Sequence, residues 1–395
     1  MSLLKLRRAS VLEAGPPEGP EQALMIDLAG ERRAAIVDVA LLGRAEVGDE
    51  VIVNVEAADL GLGSGGFDVV HVNLSRGLEA EGAGRAGAMK LNYTSLQHAV
   101  ETVEEDGDPE LREHLELPLS RPVGVLALHG QLAGVAHAFA TAAPGLRLGY
   151  VQTAGGALPG GHSRVVRELR ERELLAGHLT AGASFGGEAE AITTAGALHH
   201  GLRRLRWDAA ICGPGPGIVG SGSALGHGGM VALDSAQVAL ALGCPTVLVA
   251  RMSSGDHRPR HRGISHHTLT VLDLLLEPVT VALPAGMRSP VGAELRAGLG
   301  SVFGGRRKES PQLELGLDVE RPARIARHDW RRATVDLPAF AASGLPTVTM
   351  GRRLAEDPLF FAAALAAGGA LAEMALRVRE EEEEGSEESA SKLAM

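Results

Sequence analysis

The feature that most constrains the fold is a regular alternation of strand-like and helix-like segments that begins near Val123. Apolar runs such as VGVLALHG and PTVLVA alternate with helix-like stretches such as SRVVRELRERELLAG. Strands that are covered on both faces read as uninterrupted apolar runs, and repeated strand–helix–strand units build parallel sheets. The alternation therefore predicts an α/β domain over residues 121–378, a Rossmann-like and mostly parallel sheet with helices on both faces.

The first 80 residues follow a different pattern. Short runs such as ALMIDL and AAIVDVA are separated by glycine-containing turns, and Val51, Val53 and Val55 alternate with a period of two. Several short strands with no helix between them predict a small all-β, barrel-like domain over residues 1–80. Residues 81–120 are interpreted as a connector.

Two smaller segments also carry predictions. Within the connector, the stretch from Thr94 to Glu104 has a helix-like pattern, and Thr94 could cap that helix. At the other end of the chain, residues 379–395 are rich in glutamate and low in complexity. Like charges repel, and such a segment has little apolar surface to bury, so we expect a disordered acidic tail.

Composition narrows the class of protein. Apolar residues make up 45 %, which suffices for a core, but aromatic residues make up only 3 % and no basic stripe is visible, so nucleic acid is not expected as a partner. We see no signal peptide and no membrane-spanning run, and Cys212 and Cys244 lie in apolar segments typical of buried thiols. The sequence favours a cytoplasmic protein with no membrane partner, and a homo-oligomer is compatible with it.

Polar and small residues collect where the predicted parallel strands end. Because these ends share one edge of a sheet, the loops that follow them are expected to form one crevice. Backbone amides of glycine loops attract anions, and guanidinium groups bind carboxylates and phosphates, so the expected ligand is a small anion. The predicted ligand-binding residues are Gly215, Gly217, Gly220, Ser221, Gly222, Ser223, Arg251, Arg262, Thr153 and Glu188.

The glycine loop matches the G-x-G-x-x-G pattern of dinucleotide-binding proteins, but its context does not. It follows the fourth strand instead of opening the domain, Pro216 removes an amide donor, and Arg251 follows the next strand where an acid would be usual. The lysine of a phosphate-binding P-loop is absent. A nicotinamide cofactor is therefore disfavoured, no other cofactor is assigned, and a tight structural turn remains the alternative.

Histidines supply the most plausible chemistry. His129, His266 and His267 are the candidates for proton transfer, with Asp256 as a further catalytic candidate. The four histidines of residues 257–267 could also ligate a metal, although no H-E-x-x-H motif is present and the adjacent side chains of His266 and His267 are expected to diverge. Helix capping and bonds to the glycine loop are the structural alternative, and whether a metal binds is left open.

Several motifs together resemble a known family. The segments MKLNYTSLQHAVETVEE, GPGIVGSGSALGHGG and RHRGISHHTLT, with MGR near the end, are similar to the uncharacterised bacterial family called domain of unknown function 3866. The likeness spans nearly the whole chain and supports the layout, but it implies no activity, cofactor or catalytic residue. The family pattern carries Asp where this chain has Ala154 and His where it has Ala183.

Three hypotheses about function follow. The favoured one is an enzyme that acts on a small anionic metabolite, held by the glycine loop and clamped by Arg251 and Arg262 while a histidine transfers a proton. The first alternative is a non-catalytic sensor or regulatory protein with the same pocket, which the substitutions at Ala154 and Ala183 favour. The second alternative is a structural or assembly protein that uses the barrel and the acidic tail as contacts.

Overall fold

The computed structural model describes residues 3–61, 66–78, 86–105, 115, 117–285 and 321–393. The chain divides into two compact units, one formed by Met1–Glu101 with Pro159–Arg164 and the other by Thr102–Leu158 with Val165–Met395. Each unit contains its own apolar core. The division between Glu101 and Thr102 falls within residues 81–120, which the sequence analysis interprets as a connector.

The first unit is a closed barrel, as the alternating pattern predicts. Val51, Val53 and Val55 point inward and are at most 1 % exposed. The strand order is β1-β2-β3-β5-β4, so no edge is left open. The elements are β1 (Leu6–Glu18), β2 (Glu21–Leu28), β3 (Glu31–Asp38), α1 (Val39–Leu42), β4 (Glu50–Asn54), α2 (Glu56–Asp59) and β5 (Asp68–Asn73).

The helix predicted near Thr94 is wrong. That segment is a hairpin of β6 (Ala88–Lys90) and β7 (His98–Val100), followed by one 3-10 turn at Val103–Glu105. Leu91 and Tyr93 have positive φ angles of 52° and 62°, which no α-helix accepts. A turn between two short strands therefore replaces the helix.

The second unit contains an eight-stranded sheet in which every pairing between neighbours is parallel. Its order is β11-β10-β9-β12-β8-β13-β16-β17, and two short hairpins, β14 with β15 and β18 with β19, lie outside it. The strands are β8 (Val123–Val125), β9 (Leu148–Thr153), β10 (Gly177–Ala181), β11 (Ala189–Ala191), β12 (Ala209–Pro214), β13 (Thr246–Leu248), β14 (Met252–Ser253), β15 (Gly263–Ile264), β16 (Thr280–Pro284), β17 (Asp329–Ala333), β18 (Val348–Thr349) and β19 (Arg352–Arg353).

Helices cover both faces of this sheet, as predicted. Their bounds are α3 (Leu132–Ala142), α4 (Arg164–Glu171), α5 (Thr194–His199), α6 (Val231–Ala241), α7 (His266–Leu274), α8 (Arg321–Ala326), α9 (Leu337–Ala342) and α10 (Pro358–Leu393). Helices α5 to α8 contribute to one apolar cluster, and α3, α4, α9 and α10 contribute to the other. The helices after the neighbouring strands β8 and β12 thus pack on opposite faces, which is where open α/β sheets form ligand crevices.

Helix α10 is the longest element. An 18-residue window within Pro358–Gly385 has a mean hydropathy of 1.8, so this helix would be long and apolar enough to cross a membrane, but 83 % of that window is buried inside the protein. It is therefore a core helix, as the alanine-rich sequence predicts. The acidic run continues this helix to Leu393, although the sequence favours disorder there. Glutamate favours helices, and ion pairs one turn apart, including Arg379 with Glu383, support the extension.

Candidate functional site

Two neighbouring loops build the candidate site. One is the glycine loop of residues 215–228, which follows β12, and the other runs through residues 249–265 after β13. Strands β12 and β13 lie on either side of β8, so the two loops emerge from the middle of the same edge of the sheet. The structure therefore places most of the predicted site residues in one region.

Within the glycine loop, the polar groups mainly stabilise the loop itself. The hydroxyls of Ser221 and Ser223 lie 3.0 Å apart, and Ser223 Oγ accepts a hydrogen bond from the Gly226 amide at 2.9 Å. Gly217 has a positive φ of 71°, which a turn at this point requires. Ser221, Gly222 and Ser223 are exposed. These contacts match the structural alternative for the loop more closely than a preformed anion cradle.

Glycines also allow the loops after β9 and β12 to meet backbone to backbone. A Cβ on Gly156 would lie 2.2 Å from the Gly215 carbonyl oxygen, and one on Gly228 would lie 1.9 Å from the Gly155 carbonyl oxygen. Thr153 is buried at the end of β9. The glycine-rich pattern therefore reflects close packing of two loops.

Three buried histidines cluster in the second loop and at the start of α7. His261 closes a 3-10 turn, whereas His266 and His267 open the helix, which Ser265 caps by accepting a hydrogen bond from the His267 amide. The ring centroids of His266 and His267 are 3.9 Å apart, and that of His261 lies 5.0 Å and 5.4 Å from them. The expectation that the adjacent rings diverge was wrong, because both turn toward His261.

A fourth histidine, from the glycine loop, joins them. His227 stacks on His267 with ring centroids 4.1 Å apart, and its Nδ1 accepts a hydrogen bond from the Gly229 amide at 3.0 Å. A hydrogen bond to the Ala224 backbone further ties His267 to that loop. The glycine loop thus covers the histidine cluster, a role that the sequence analysis missed although His227 ends the motif GSGSALGHGG.

Three of these imidazoles, those of His227, His261 and His267, have lowered pKa values and are neutral at neutral pH. Burial, reinforced for two of them chiefly by the charge of Arg251, lowers the pKa of His261 to about 3 and that of His227 to about 4. Burial and the neighbouring His227 lower the pKa of His267 to about 3. Nitrogen atoms of His261, His266 and His267 lie within 4.8 Å of one another, so these three residues could hold a metal ion. A neutral imidazole offers a lone pair to a metal or to a proton.

Beside the histidines lies a buried network of guanidinium and carboxylate groups centred on Asp256. This carboxylate is fully buried and accepts hydrogen bonds from Arg258 at 2.8 and 2.9 Å, while Arg352 and Arg251 lie 3.5 and 3.6 Å away. Burial raises the pKa of Asp256, but the bonds and charge of Arg258 outweigh it and hold that pKa well below its usual range. Asp256 is therefore an ionised partner for the arginines.

A second buried carboxylate completes this network. Asp357 accepts hydrogen bonds from Ser253 Oγ at 2.6 Å and from Arg352 Nε at 3.0 Å. Asp357 immediately precedes α10. Arg352 belongs to the β18–β19 hairpin and is nearly a hundred residues from Asp256 in sequence. The sequence analysis missed Asp357, Arg258 and the role of Arg352. Only the MGR motif, which contains Arg352, was a signal.

Arg251 is a buried member of this network with an unsatisfied donor. Its side chain is 4 % exposed, and its Nε has no hydrogen-bond partner within the described parts of the chain. Burial and the charge of Arg258 lower its pKa to about 10, so it still carries its charge at neutral pH. Three guanidinium groups here face the carboxylates of Asp256 and Asp357. One positive charge is left over beside the neutral imidazoles.

Three other predicted residues have different surroundings. His129 lies against Tyr150, whose hydroxyl is 3.4 Å from His129 Nδ1 and donates to the Pro214 carbonyl at 3.0 Å. Glu188 is exposed and bonds Arg170 Nε at 2.7 Å. Arg262 is also exposed, and its Nε donates to the Asp256 carbonyl at 2.9 Å. The structure brings Arg251, Asp256, His266 and His267 together, whereas these three residues have contacts that stabilise the fold.

Buried histidines outside the cluster predict a pH-dependent stability. Burial lowers the pKa of His129 to about 4 and that of His178 to about 3, from 6.5. Below pH 6.5 the unfolded chain therefore binds protons that the folded chain does not, so stability is lost as the pH falls. Below pH 6.5, each such histidine lowers the free energy of unfolding by about 1.4 kcal/mol for each pH unit. Between neutral pH and about pH 5 the free energy of unfolding falls. In the His178→Gln variant this fall is expected to be smaller by roughly 2 kcal/mol.

Urea unfolding, followed by tryptophan fluorescence at both pH values, measures this effect. Both tryptophans, Trp207 and Trp330, belong to the second unit, so the signal reports that unit alone. The matched control is the exposed His257, replaced with Gln. Equal acid sensitivity of the His178→Gln variant and the unmodified protein would contradict the prediction.

Comparison with known proteins agrees with the resemblance noted in the sequence. The family model described as "Protein of unknown function (DUF3866)" matches residues 34–368, which include both loops and the hairpin that carries Arg352. No curated protein and no solved structure matches the chain at a significant level.

Proposed function

Because the chain belongs to the DUF3866 family, whose description names no activity, we propose from the site alone that it is an enzyme acting on a small anionic metabolite. The ligand would lie at the carboxyl ends of the central strands, between the glycine loop and the loop that follows β13. Arg251 would bind the anion, and the neighbouring imidazoles would supply the chemistry.

The observation that carries the proposal is the unsatisfied Nε donor of Arg251, whose guanidinium is buried and lies 3.6 Å from the Asp256 carboxylate. A buried guanidinium group is costly unless its donors are used, yet Arg251 Nε has no partner among the residues that the structure describes. An anionic group at this point would use that donor and balance the surplus charge. Guanidinium groups bind carboxylates and phosphates in this way.

The histidine cluster favours an enzyme over a simple binding protein. A site that only retains an anion needs donors, whereas neutral imidazoles next to a fixed positive charge offer lone pairs. Such groups can hold a metal, which is a means of activating a bound molecule, whereas a pKa of about 3 makes His261 and His267 weak proton acceptors. A non-catalytic sensor remains the alternative that the experiment below separates.

The two cysteines indicate the compartment in which the protein works. Cys212 and Cys244 are free and buried, and burial raises the pKa of each thiol to about 12. Inert thiols suit a reducing compartment, so we infer a cytoplasmic protein. The inferred partner is a small anion, with no nucleic acid or membrane involved, and self-association is compatible with the proposal.

Replacing Arg251 with Met is expected to weaken binding of the anion at least tenfold, since a hydrogen bond to a charged group contributes about 1.5–3 kcal/mol. The protein would be incubated with a metabolite extract, and consumed or retained anions identified by mass spectrometry. Arg353 on the same hairpin as Arg352 is exposed, so Arg353→Met is the matched control. Consumption that depends on Arg251 supports an enzyme, and retention without consumption supports the sensor. If the protein neither binds nor consumes an anion, the proposal fails.

A further inference from the structure

Three imidazole side chains converge on one point in the second loop. His261, His266 and His267 are 1 %, 7 % and 3 % exposed, and each offers a ring nitrogen within 4.8 Å of the other two. The three rings face one another at centroid distances between 3.9 and 5.4 Å.

We propose that His261, His266 and His267 bind a divalent transition-metal ion of the zinc class and leave a fourth coordination position open. The inference deepens the proposed function, on which it rests for what occupies the fourth position. Binding of the metal itself is a separate property and is tested separately.

The distances suit such an ion after a small adjustment. Zinc binds imidazole nitrogen at about 2.1 Å, which places two ligand nitrogens of a tetrahedral site roughly 3.4 Å apart. The three nitrogens of the cluster lie within 4.8 Å of one another. The nitrogens would therefore have to approach one another by at most about 1.4 Å to reach the separation of zinc ligands.

The surroundings select which nitrogens face the metal. His261 Nδ1 lies 2.9 Å from Ser265 Oγ, which leaves Nε2 as the ligand atom. His267 bonds the Ala224 backbone, while its buried Nδ1 has no hydrogen-bond partner in the described ranges of the chain. Histidine ligands of metals almost always use their second nitrogen in a hydrogen bond to an oxygen. Ser265 and Ala224 therefore correspond to the outer partners of a metal site.

Among the described residues, no fourth His, Cys, Asp or Glu joins this group of ligand atoms, so the fourth position is open to a non-protein ligand. The Nδ1 lone pair of His227 accepts a hydrogen bond from the Gly229 amide, so His227 forms a wall of the site. The carboxylate of Asp256 is held by arginines. Three protein ligands with an open position are typical of catalytic zinc sites, whereas structural sites are closed. With Arg251 beside it, the metal would attract an anionic ligand to the open position.

Metal analysis of the whole protein tests the inference. Protein purified without chelators is expected to contain about one equivalent of a transition metal per chain, as a single site requires. Protein stripped with dipicolinate is expected to regain one equivalent of Zn²⁺, or of Co²⁺ with the visible absorption of a four-coordinate ion. Absence of stoichiometric uptake of Zn²⁺, Co²⁺, Ni²⁺, Mn²⁺ and Fe²⁺ by the folded protein would overturn the inference.

Variants locate the site. His261→Ala and His267→Ala are each expected to lower metal affinity more than about 100-fold, because loss of an outer partner alone costs 10- to 100-fold. Ser265→Ala is expected to lower it by about 10- to 100-fold. The exposed His257 on the same loop provides the control His257→Ala, which should bind metal like the unmodified protein.

Folding of each variant is checked by circular dichroism and urea unfolding. If His267→Ala does not fold, His261→Gln, which keeps a polar side chain of similar length, serves in its place. Unchanged Zn²⁺ affinity in a folded His261 variant would overturn the assignment. If the protein consumes an anion but takes up no metal, the metal site is rejected and the proposed enzyme is kept. If it binds metal but consumes no anion, the metal site is kept and the proposed enzyme is rejected.

Discussion

Replacing Asp256 with Ala is expected to lower the free energy of unfolding of the α/β unit by about 3–5 kcal/mol, the range for breaking a buried ion pair. The carboxylate is fully buried and lies within 3.6 Å of the guanidinium groups of Arg251, Arg258 and Arg352. Its removal leaves these charges with Asp357 as the remaining carboxylate of the network. The cost comes from uncompensated charge, so Asp256→Asn, which keeps the shape, should also be strongly destabilising.

Urea unfolding followed by tryptophan fluorescence measures this effect. Asp273 provides the control, because it pairs with Arg324 at 2.7 Å where the arginine side chain is 36 % exposed. Asp273→Ala should cost no more than about 1 kcal/mol, as is usual for ion pairs near the surface. The interpretation of Asp256 as the centre of the network would be wrong if the two alanine variants lost equal stability.

The second large effect is expected at Trp207. Its side chain is 1 % exposed, and Trp207→Ala should lower the free energy of unfolding by about 3–5 kcal/mol through lost burial and the cavity left behind. Three glycines surround the indole. A Cβ on Gly149 would lie 1.9 Å from a ring carbon, one on Gly201 2.4 Å, and one on Gly177 2.8 Å.

The packing of Gly149 against the Trp207 ring also predicts that a side chain at position 149 is destabilising. Gly149→Ala should destabilise by roughly 1–3 kcal/mol or more, because the added methyl group overlaps the ring. Unfolding followed by circular dichroism suits both variants, since one lacks a fluorophore. Trp330→Ala is the control. Because Trp330 is only partly buried, its replacement should lower the free energy of unfolding less than Trp207→Ala does. A Gly149→Ala variant as stable as the unmodified protein would show that the indole can move aside.

The candidate site is assembled from segments that are distant in sequence. Asp256 and Arg251 are five residues apart in sequence, and the sequence analysis assigned them separate roles, a catalytic candidate and an anion-binding residue. Their partner Arg352 comes from a hairpin nearly a hundred residues away, where the MGR motif is a local signal but does not indicate contact with Asp256. His227 was visible in the glycine motif, but only its stacking on His267 shows that it covers the histidines.

The sequence by itself determined the fold class, because apolar periodicity is a local property. Continuous apolar runs specified buried parallel strands, alternating valines specified the barrel, and the order of the runs placed the loops on one edge. Local patterns failed where short segments had weak preferences, as in the hairpin near Tyr93 and the acidic end of α10. Only the tertiary structure decided which histidines meet, that His129 and Glu188 stabilise the fold, and that one positive charge remains at Arg251. These depend on contacts between distant segments, and local periodicity does not encode them.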